Sequence, residues 1–400
     1  MKAKPKKILK WAGISLLSVV ALLLMTFAIA CRPSAGRRTL AEQNSFCYWE
    51  RNYKTDTALI NSTGTNHFYL RYFDVDWDDI SQDAKPIASL SSYDVIPIKF
   101  TPSVFLTNKV FEKSSKKQLK TLSERVKKRV DKITEDFGGN AFRKEYGYGD
   151  FYYGGDDSIR RAKADSAEIA YADAEKVFID DYMNKVTDIL IDCDWTDKTR
   201  DNFFYFVECL KKEFADKEIT VTLRLWQYKR NKPEDIPPVE RCLLMCYNMQ
   251  AFNDYRVENS IASLGELKKY VSGKKYPLKL DVALPIFNWA ILFRNERFMG
   301  ILGNVNKQDY DNNFIEYESL GNGRYCSLTD KVIGNFFIRK GDIIKIEDVG
   351  KEELHQMAEY LKSEIPFDKY SRLTFFSWNK LYINNYGTDE IKNIRSVFSR

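Results

Sequence analysis

Five short stretches of this sequence set acids and amides beside aromatic rings. They are Asp74-Val75-Asp76-Trp77, Asp192-Cys193-Asp194-Trp195-Thr196, Trp226-Gln227, Met245-Cys246-Tyr247-Asn248 and Ser377-Trp378-Asn379. Each lies at the end of an apolar run that reads as a β-strand. Period-two alternation puts Asp74 and Asp76 on one face of their run, and Asp192, Asp194 and Thr196 on one face of theirs. Carboxylates facing an apolar interior cost free energy unless they are paired or used. Rings next to carboxylates suit a sugar, because the ring stacks on the apolar face of a pyranose while the acid accepts from its hydroxyls. The candidates for such contacts are Trp77, Asp194, Trp195, Trp226, Gln227, Tyr247, Asn248 and Trp378, and the candidate catalytic carboxylates are Asp74, Asp76, Asp192 and Asp194. Structural roles compete with each of these. Trp195, Trp226 and Trp378 also suit the cap of a core, and Asp76, Asp194 and Thr196 suit the first residue of a following helix.

Other chemistries find little to use. His67 and His355 are the only histidines, which leaves a histidine-based zinc site or a Ser-His-Asp triad almost without residues. Neither a metal nor a cofactor is expected. There is no phosphate-cradling G-x-x-x-x-G-K loop, and Gly321-Asn322-Gly323 reads as a turn. Besides Cys31, the cysteines are Cys47, Cys193, Cys209, Cys242, Cys246 and Cys326, with no C-x-x-C pairing. Cys193, Cys209 and Cys242 sit in apolar contexts and read as small core residues.

The elements that must carry these residues alternate. Short apolar runs at His67–Asp76, Asp94–Phe100, Val186–Asp194, Thr220–Trp226, Cys242–Tyr247, Leu278–Ile286 and Leu373–Ser377 are separated by helical patterns, which predicts βα units and a parallel sheet. The clearest helix is Lys116–Phe137, where Leu119, Leu122, Val126, Val130, Ile133 and Phe137 step by three and four, with Ser114 or Ser115 as cap and Gly138 as stop. Further helices are expected at Asp197–Phe214, Ser260–Val271 and Glu352–Ile365. The expected fold is an α/β barrel of the (β/α)8 type over residues 66–400, possible with an eighth strand at Val332–Arg339 or in an irregular form. Residues 138–173 read as an inserted loop, either a lid over the cleft or a surface loop packed on its own rings. In such a barrel the site is built where strands finish, which is where the five stretches above lie.

The chain begins with Lys2, Lys4, Lys6, Lys7 and Lys10, followed by an apolar run from Trp11 to Cys31 that is 21 residues long. A basic start and an apolar core predict an export signal, and this one is long enough to span ~30 Å of hydrocarbon. Ala28-Ile29-Ala30-Cys31 resembles a bacterial lipobox, with Cys31 as the lipidated residue; retention as an anchor and complete cleavage are the alternatives. Residues 1–31 are thus the targeting segment and 32–65 a tether, which predicts a membrane-anchored, extracytoplasmic protein of the cell envelope. Taking those five lysines from the formal charge of +6 leaves the rest near +1, with no footprint for nucleic acid.

The middle of the chain resembles glycoside hydrolase family 18, the chitinase-like barrels. Ile189–Thr196, followed by an amphipathic helix, is similar to that family's fourth-strand D-x-x-D-x-D-x-E. Met245-Cys246-Tyr247-Asn248 is similar to its sixth-strand M-x-Y-[DN], Leu278–Ile286 to its apolar seventh strand, and Trp378 to its eighth-strand tryptophan. Aligned so, Ile189 takes the first aspartate and Thr196 takes the glutamate that is the family's general acid. Threonine has no proton to give at neutral pH, and general acid catalysis contributes ~10²–10⁴-fold. The resemblance therefore implies a lectin-like barrel that binds an N-acetylhexosamine-containing glycan such as peptidoglycan. Two other readings remain open: an active glycoside hydrolase using Asp74 and Asp76 or Asp192 and Asp194, and a non-catalytic scaffold of the cell envelope.

Overall fold

The computed structural model describes residues 43–147, 158–273, 275–303 and 305–398, the side chains of 158–167 excepted. Among the described residues, eight parallel strands close into a barrel. They are β1 (Asn44–Tyr48), β2 (His67–Asp78), β3 (Lys99–Leu106), β4 (Asp188–Asp192), β5 (Glu218–Arg224), β6 (Arg241–Met245), β7 (Lys279–Pro285) and β8 (Leu373–Phe376). The ring closes because β1 pairs with β8 on one side and β2 on the other. Strand Asp83–Ser89 runs antiparallel along the outer half of β2.

The expected (β/α)8 class is therefore the observed one, with changes in its parts. The eighth strand is Asn44–Tyr48, not Val332–Arg339, whose residues form a small separate hairpin of Lys331–Ile333 and Phe336–Ile338. β1 opens with Asn44 and Ser45 and is only five residues long, so it carries little apolar signal. From Asn44 onward the residues expected as tether belong instead to the barrel, and Thr57–Thr63 is helical. The third strand is Lys99–Leu106 rather than Asp94–Phe100, and Trp226 falls in a helical turn, Leu225–Arg230, after β5. Residues 1–31, including Cys31, lie outside the described residues. Among the described residues no helix is long and apolar enough to cross a membrane.

Helix Lys116–Tyr146 starts at Ser115, whose Oγ accepts from Gln118 N at 3.3 Å while Gln118 Oε1 accepts from Ser115 N at 3.0 Å. This reciprocal pair satisfies two donors that a helix start leaves open. The helix does not stop at Gly138. A Cβ there would lie 2.8 Å from the Cα of Ile179, on helix Ser158–Lys185. The glycine allows two helices to touch backbone to backbone, so most of the loop expected over 138–173 is helix; its Tyr148-Gly149 and Phe151–Gly155 stretches lie outside the described residues.

Between β7 and helix Lys351–Glu364 a five-stranded antiparallel sheet is inserted, with Trp289–Arg294 and Ile343–Glu347 at its centre. It has its own apolar core of Ala290, Leu292, Tyr310, Tyr317, Tyr325, Ile338, Ile344 and Ile346. Nothing in the sequence pattern alone separated it from the barrel.

The lower barrel interior is polar. Arg372 Nη1 reaches Asp188 Oδ2 at 2.9 Å, and neither side chain is exposed. Thr101 donates to Asp188 at 2.6 Å, and Tyr69 donates to Asp281 at 2.8 Å. Asp281 in turn faces Arg241 at 3.4 Å. His67 is wholly buried here between Ser45 Oγ (2.8 Å) and Thr101 Oγ1 (2.9 Å).

Two outcomes follow for stability. Arg372→Met, which leaves Asp188 buried without its cation, should cost roughly 3–5 kcal/mol in urea unfolding. Gly138→Leu should cost about 1–3 kcal/mol by forcing the two helices apart, whereas the same change at Gly265, where a Cβ would meet only Ser263 Oγ at 4.0 Å, should cost less.

Candidate functional site

The mouth of the barrel, where the strands finish, gathers three aspartates and two arginines. Arg71 of β2 grips Asp74 of the same strand, Nε to Oδ1 at 2.7 Å and Nη2 to Oδ2 at 2.5 Å. Arg224, the last residue of β5, grips Asp194 in the same forked way, with Nε to Oδ1 at 2.5 Å. Planar, two-point pairing of this kind is the strong form of an arginine–carboxylate contact. Asp192 ends β4 between these pairs and takes a hydrogen bond from Thr222 Oγ1 at 2.8 Å. It is 9% exposed.

Burial, and then the neighbouring charge of Asp194, push the Asp192 carboxyl from its ordinary 3.8 up to about 6. Arg224 and Arg71 pull the other way without cancelling this. The Tyr247 phenol is pushed well above its ordinary value by burial, with Cys47 and Asp192 adding to the effect.

Rings surround this polar floor. Tyr247 stacks on Phe376 with centroids 4.8 Å apart, and Phe287 stands edge-on to both at 6.1 and 5.7 Å. Trp49 meets Phe376 at 5.5 Å, and the Arg71 guanidinium lies 5.6 Å from the Trp49 ring and 5.9 Å from Phe105. The chain of contacts continues outward through Trp289, 5.5 Å from Phe287, to Phe252 and Phe298. Trp289 is held by its indole N–H, which donates to Glu347 Oε2 at 2.8 Å. Glu347 also accepts from Ser260 N at 3.1 Å and pairs with buried Lys345 at 2.7 Å, so one carboxylate fixes the inserted sheet, the loop after β6 and this ring together. Phe252 and Phe298 are each 38% exposed. A hollow of about 630 Å³ is lined by Gln250, Asp254, Asn259 and Ser263 of the loop after β6, with Glu266 and Glu353.

The residues expected from the sequence are distributed unevenly. Asp74, Asp192, Asp194 and Tyr247 come together at the mouth, and Asn248 is exposed beside it in a left-handed conformation, φ 53°, that asparagine tolerates. Asp76 accepts from Thr107 Oγ1 at 2.5 Å and from Trp77 N at 2.8 Å, which ties it to the start of the next loop. The glycan contacts expected of Trp77, Trp195, Trp378 and Gln227 are corrected by burial. Trp195 has no exposed surface and packs on Phe203, Phe204 and Trp226. Trp378 is wedged between Phe46 and Phe68, and Trp77 is 6% exposed. Gln227 donates to Trp195 O at 3.0 Å and accepts from Arg224 N at 2.7 Å, so it braces the wall rather than facing a ligand. Trp226 is half-buried beneath the Arg230 guanidinium, 5.7 Å away.

Thr196 is exposed; its N–H donates to Thr199 Oγ1 at 2.8 Å and its carbonyl accepts from Arg200 N at 2.8 Å, which places it in the turn that leads into helix Arg200–Glu213, whose cap residue is Thr199. The sequence reading missed Arg71 and Arg224. Alternation along Thr220, Thr222 and Arg224 was a usable signal for the second. Trp49 was missed with β1, and Trp289, Phe252 and Phe298 with the inserted sheet. Among the described residues, no group of three or more His, Cys, Asp or Glu is placed to hold a metal. Cys47, Cys193, Cys209, Cys242, Cys246 and Cys326 are all unbridged.

Counted along the barrel, Asp192 ends the fourth strand with Asp194 just after it, Met245–Asn248 lies on and after the sixth, and Trp378 after the eighth. No protein-family model matches the chain, and no curated protein does. Among solved structures it is similar to the spore cortex-lytic enzyme SleL of Bacillus cereus, with TM-score 0.40, 11% identity, and 89% of this chain and 74% of that one covered. It is also similar to the C-terminal domain of Legionella pneumophila ChiA, with TM-score 0.36, 9% identity, and coverage of 89% and 97%. A third is active domain 2 of a thermostable chitinase from Pyrococcus furiosus, with TM-score 0.30, 11% identity, and coverage of 86% of each chain. At such identities and overlaps these likenesses say nothing about this chain's chemistry.

The Asp192 carboxyl titrates above its unfolded value of 3.8, so its cost is absent only well below that pH, grows as the pH rises towards 6 and is complete above it. Asp192→Asn should therefore stabilise the fold at pH 7 by roughly 2–3 kcal/mol, and urea unfolding at pH 4 should show most of that gain gone.

Proposed function

We propose that this protein is a membrane-tethered barrel that binds an N-acetylhexosamine-containing glycan, such as peptidoglycan, at its mouth without hydrolysing it. The observation that carries this reading is the floor of carboxylates and guanidiniums ringed by Trp49, Phe105, Phe376 and Tyr247, with Thr196 standing where the resemblance calls for a general acid. Rings offer stacking area to pyranose faces. Tyr247 and Asn248 are hydrogen-bonding candidates, and Trp289, Phe252 and Phe298 extend the ring surface beyond the mouth.

The absence of hydrolysis rests on chemistry. A glycosidic oxygen needs a proton as it leaves, normally from one of two carboxyl groups with separate roles. Thr196 has none to give, and Asp194 and Asp74 are each gripped at two points by an arginine, Arg224 and Arg71. Asp76 is engaged by Thr107. The tether follows from the lysine-led apolar segment at residues 1–31, which would place the barrel outside the cytoplasm.

Native mass spectrometry of the full chain in detergent with N-acetylglucosamine and peptidoglycan oligosaccharides tests both halves. Intact sugars should ride on the protein, and Trp289→Ala should weaken them by roughly tenfold. Shortened sugars would overturn the non-catalytic half, and no adduct with any oligosaccharide would overturn the glycan half.

A further inference from the structure

Among the described residues, the floor of the mouth sets three aspartates, Asp74, Asp192 and Asp194, against two arginines, Arg71 and Arg224. Asp74 has Arg71 and Asp194 has Arg224, each gripped at two points. Asp192 is nine-tenths buried and has the neutral Thr222 hydroxyl on Oδ1; among the described residues no lysine, arginine or histidine pairs with it. The groups that face it are Asp194 beyond its own strand, Arg224 of β5, Arg71 of β2, Tyr247 after β6 and Cys47 of β1. Two of these are cations already neutralised, one is a further carboxylate, and the phenol and thiol are neutral at pH 7. A buried carboxylate without a counter-charge is costly. Here that cost falls beside an aromatic wall at the open end of a barrel.

We propose that Asp192 is the seat for a ligand ammonium group, so that the glycan taken by this mouth carries a free amine, as an N-deacetylated hexosamine residue does. This inference rests on the glycan reading above and narrows its substrate class. An acetamide offers the carboxylate one N–H and leaves its charge in place, whereas an ammonium supplies both the hydrogen bond and the missing charge. A hard metal ion fits poorly, since calcium asks for six to eight oxygens, and Asp194, the nearest second carboxylate, is occupied by Arg224. Phe376 and Tyr247 beside the seat suit a cation as well as a sugar face.

The pairing has a pH signature. Asp192 must be ionised, which in the free protein requires a pH above about 6, and the ligand amine must be protonated, which fails above ~8 for an amine in the range of an α-amino group. Affinity should therefore pass through a maximum near neutral pH.

Calorimetric titration of the full chain in detergent, with a β-1,4-linked glucosamine tetramer and its fully N-acetylated counterpart, decides the matter. The glucosamine tetramer should bind about 10- to 100-fold more tightly at pH 7, and the advantage should shrink at both pH 5 and pH 9. Asp192→Asn, checked as folded by its unfolding curve, should bring the glucosamine tetramer down to the affinity of the acetylated one. Equal binding of both tetramers overturns the amine seat and leaves the glycan reading standing. A glucosamine preference that survives Asp192→Asn overturns it too, since general charge attraction then explains the result. Binding of neither tetramer overturns the glycan reading and this inference with it.

Discussion

A guanidinium and a carboxylate locked together inside the closed barrel hold the rest of this structure in place. Arg372 leads into the last strand and reaches Asp188 at the start of the fourth, with Thr101 of the third strand and Thr187 as further partners. Tyr69 of the second strand and Asp281 of the seventh complete the layer, and the Asp281 carboxylate also caps the Arg372 main-chain N–H at 2.8 Å. Strands distant in sequence, contributed by residues 69 to 372, are thus tied at one level. Such a pair adds little net stability over apolar packing, but leaving either member alone in the interior is expensive. Slippage of any participating strand would do that.

Above this layer the same physics is used differently. At the mouth, Arg71–Asp74 and Arg224–Asp194 are partly open to solvent, so they are satisfied charges at a surface rather than bolts in a core. Around the second pair the wall is stiff. Gln227 bridges Arg224 and Trp195, Asn108 holds the Asp194 carbonyl, and Arg200 and Arg230 share the buried Asp235. After β7, Glu347 anchors Trp289 and the loop around Ser260. The mouth is therefore braced by barrel loops and by the inserted sheet, and Asp192, among the described residues, forms no ion pair there.

The sequence by itself determined the class of fold, because alternating strand and helix periods leave a parallel barrel as the economical arrangement. It also determined four residues of the mouth, Asp74, Asp192, Asp194 and Tyr247, since strand ends and period-two alternation are local properties. Ser115 and the stripe from Leu119 to Phe137 were legible for the same reason. Only the tertiary structure decided which rings face a ligand. Trp195 and Trp378 stand next to the right strand ends, yet helix Arg200–Glu213 buries the first and Phe46 with Phe68 enclose the second. Trp49 and Trp289 reach the mouth because β1 closes the ring and the inserted sheet folds back to it, both long-range events that leave no mark in a short window of sequence. Pairing is of the same kind. Whether a carboxylate is neutralised depends on a partner strand, 30 residues away for Asp194 and absent among the described residues for Asp192.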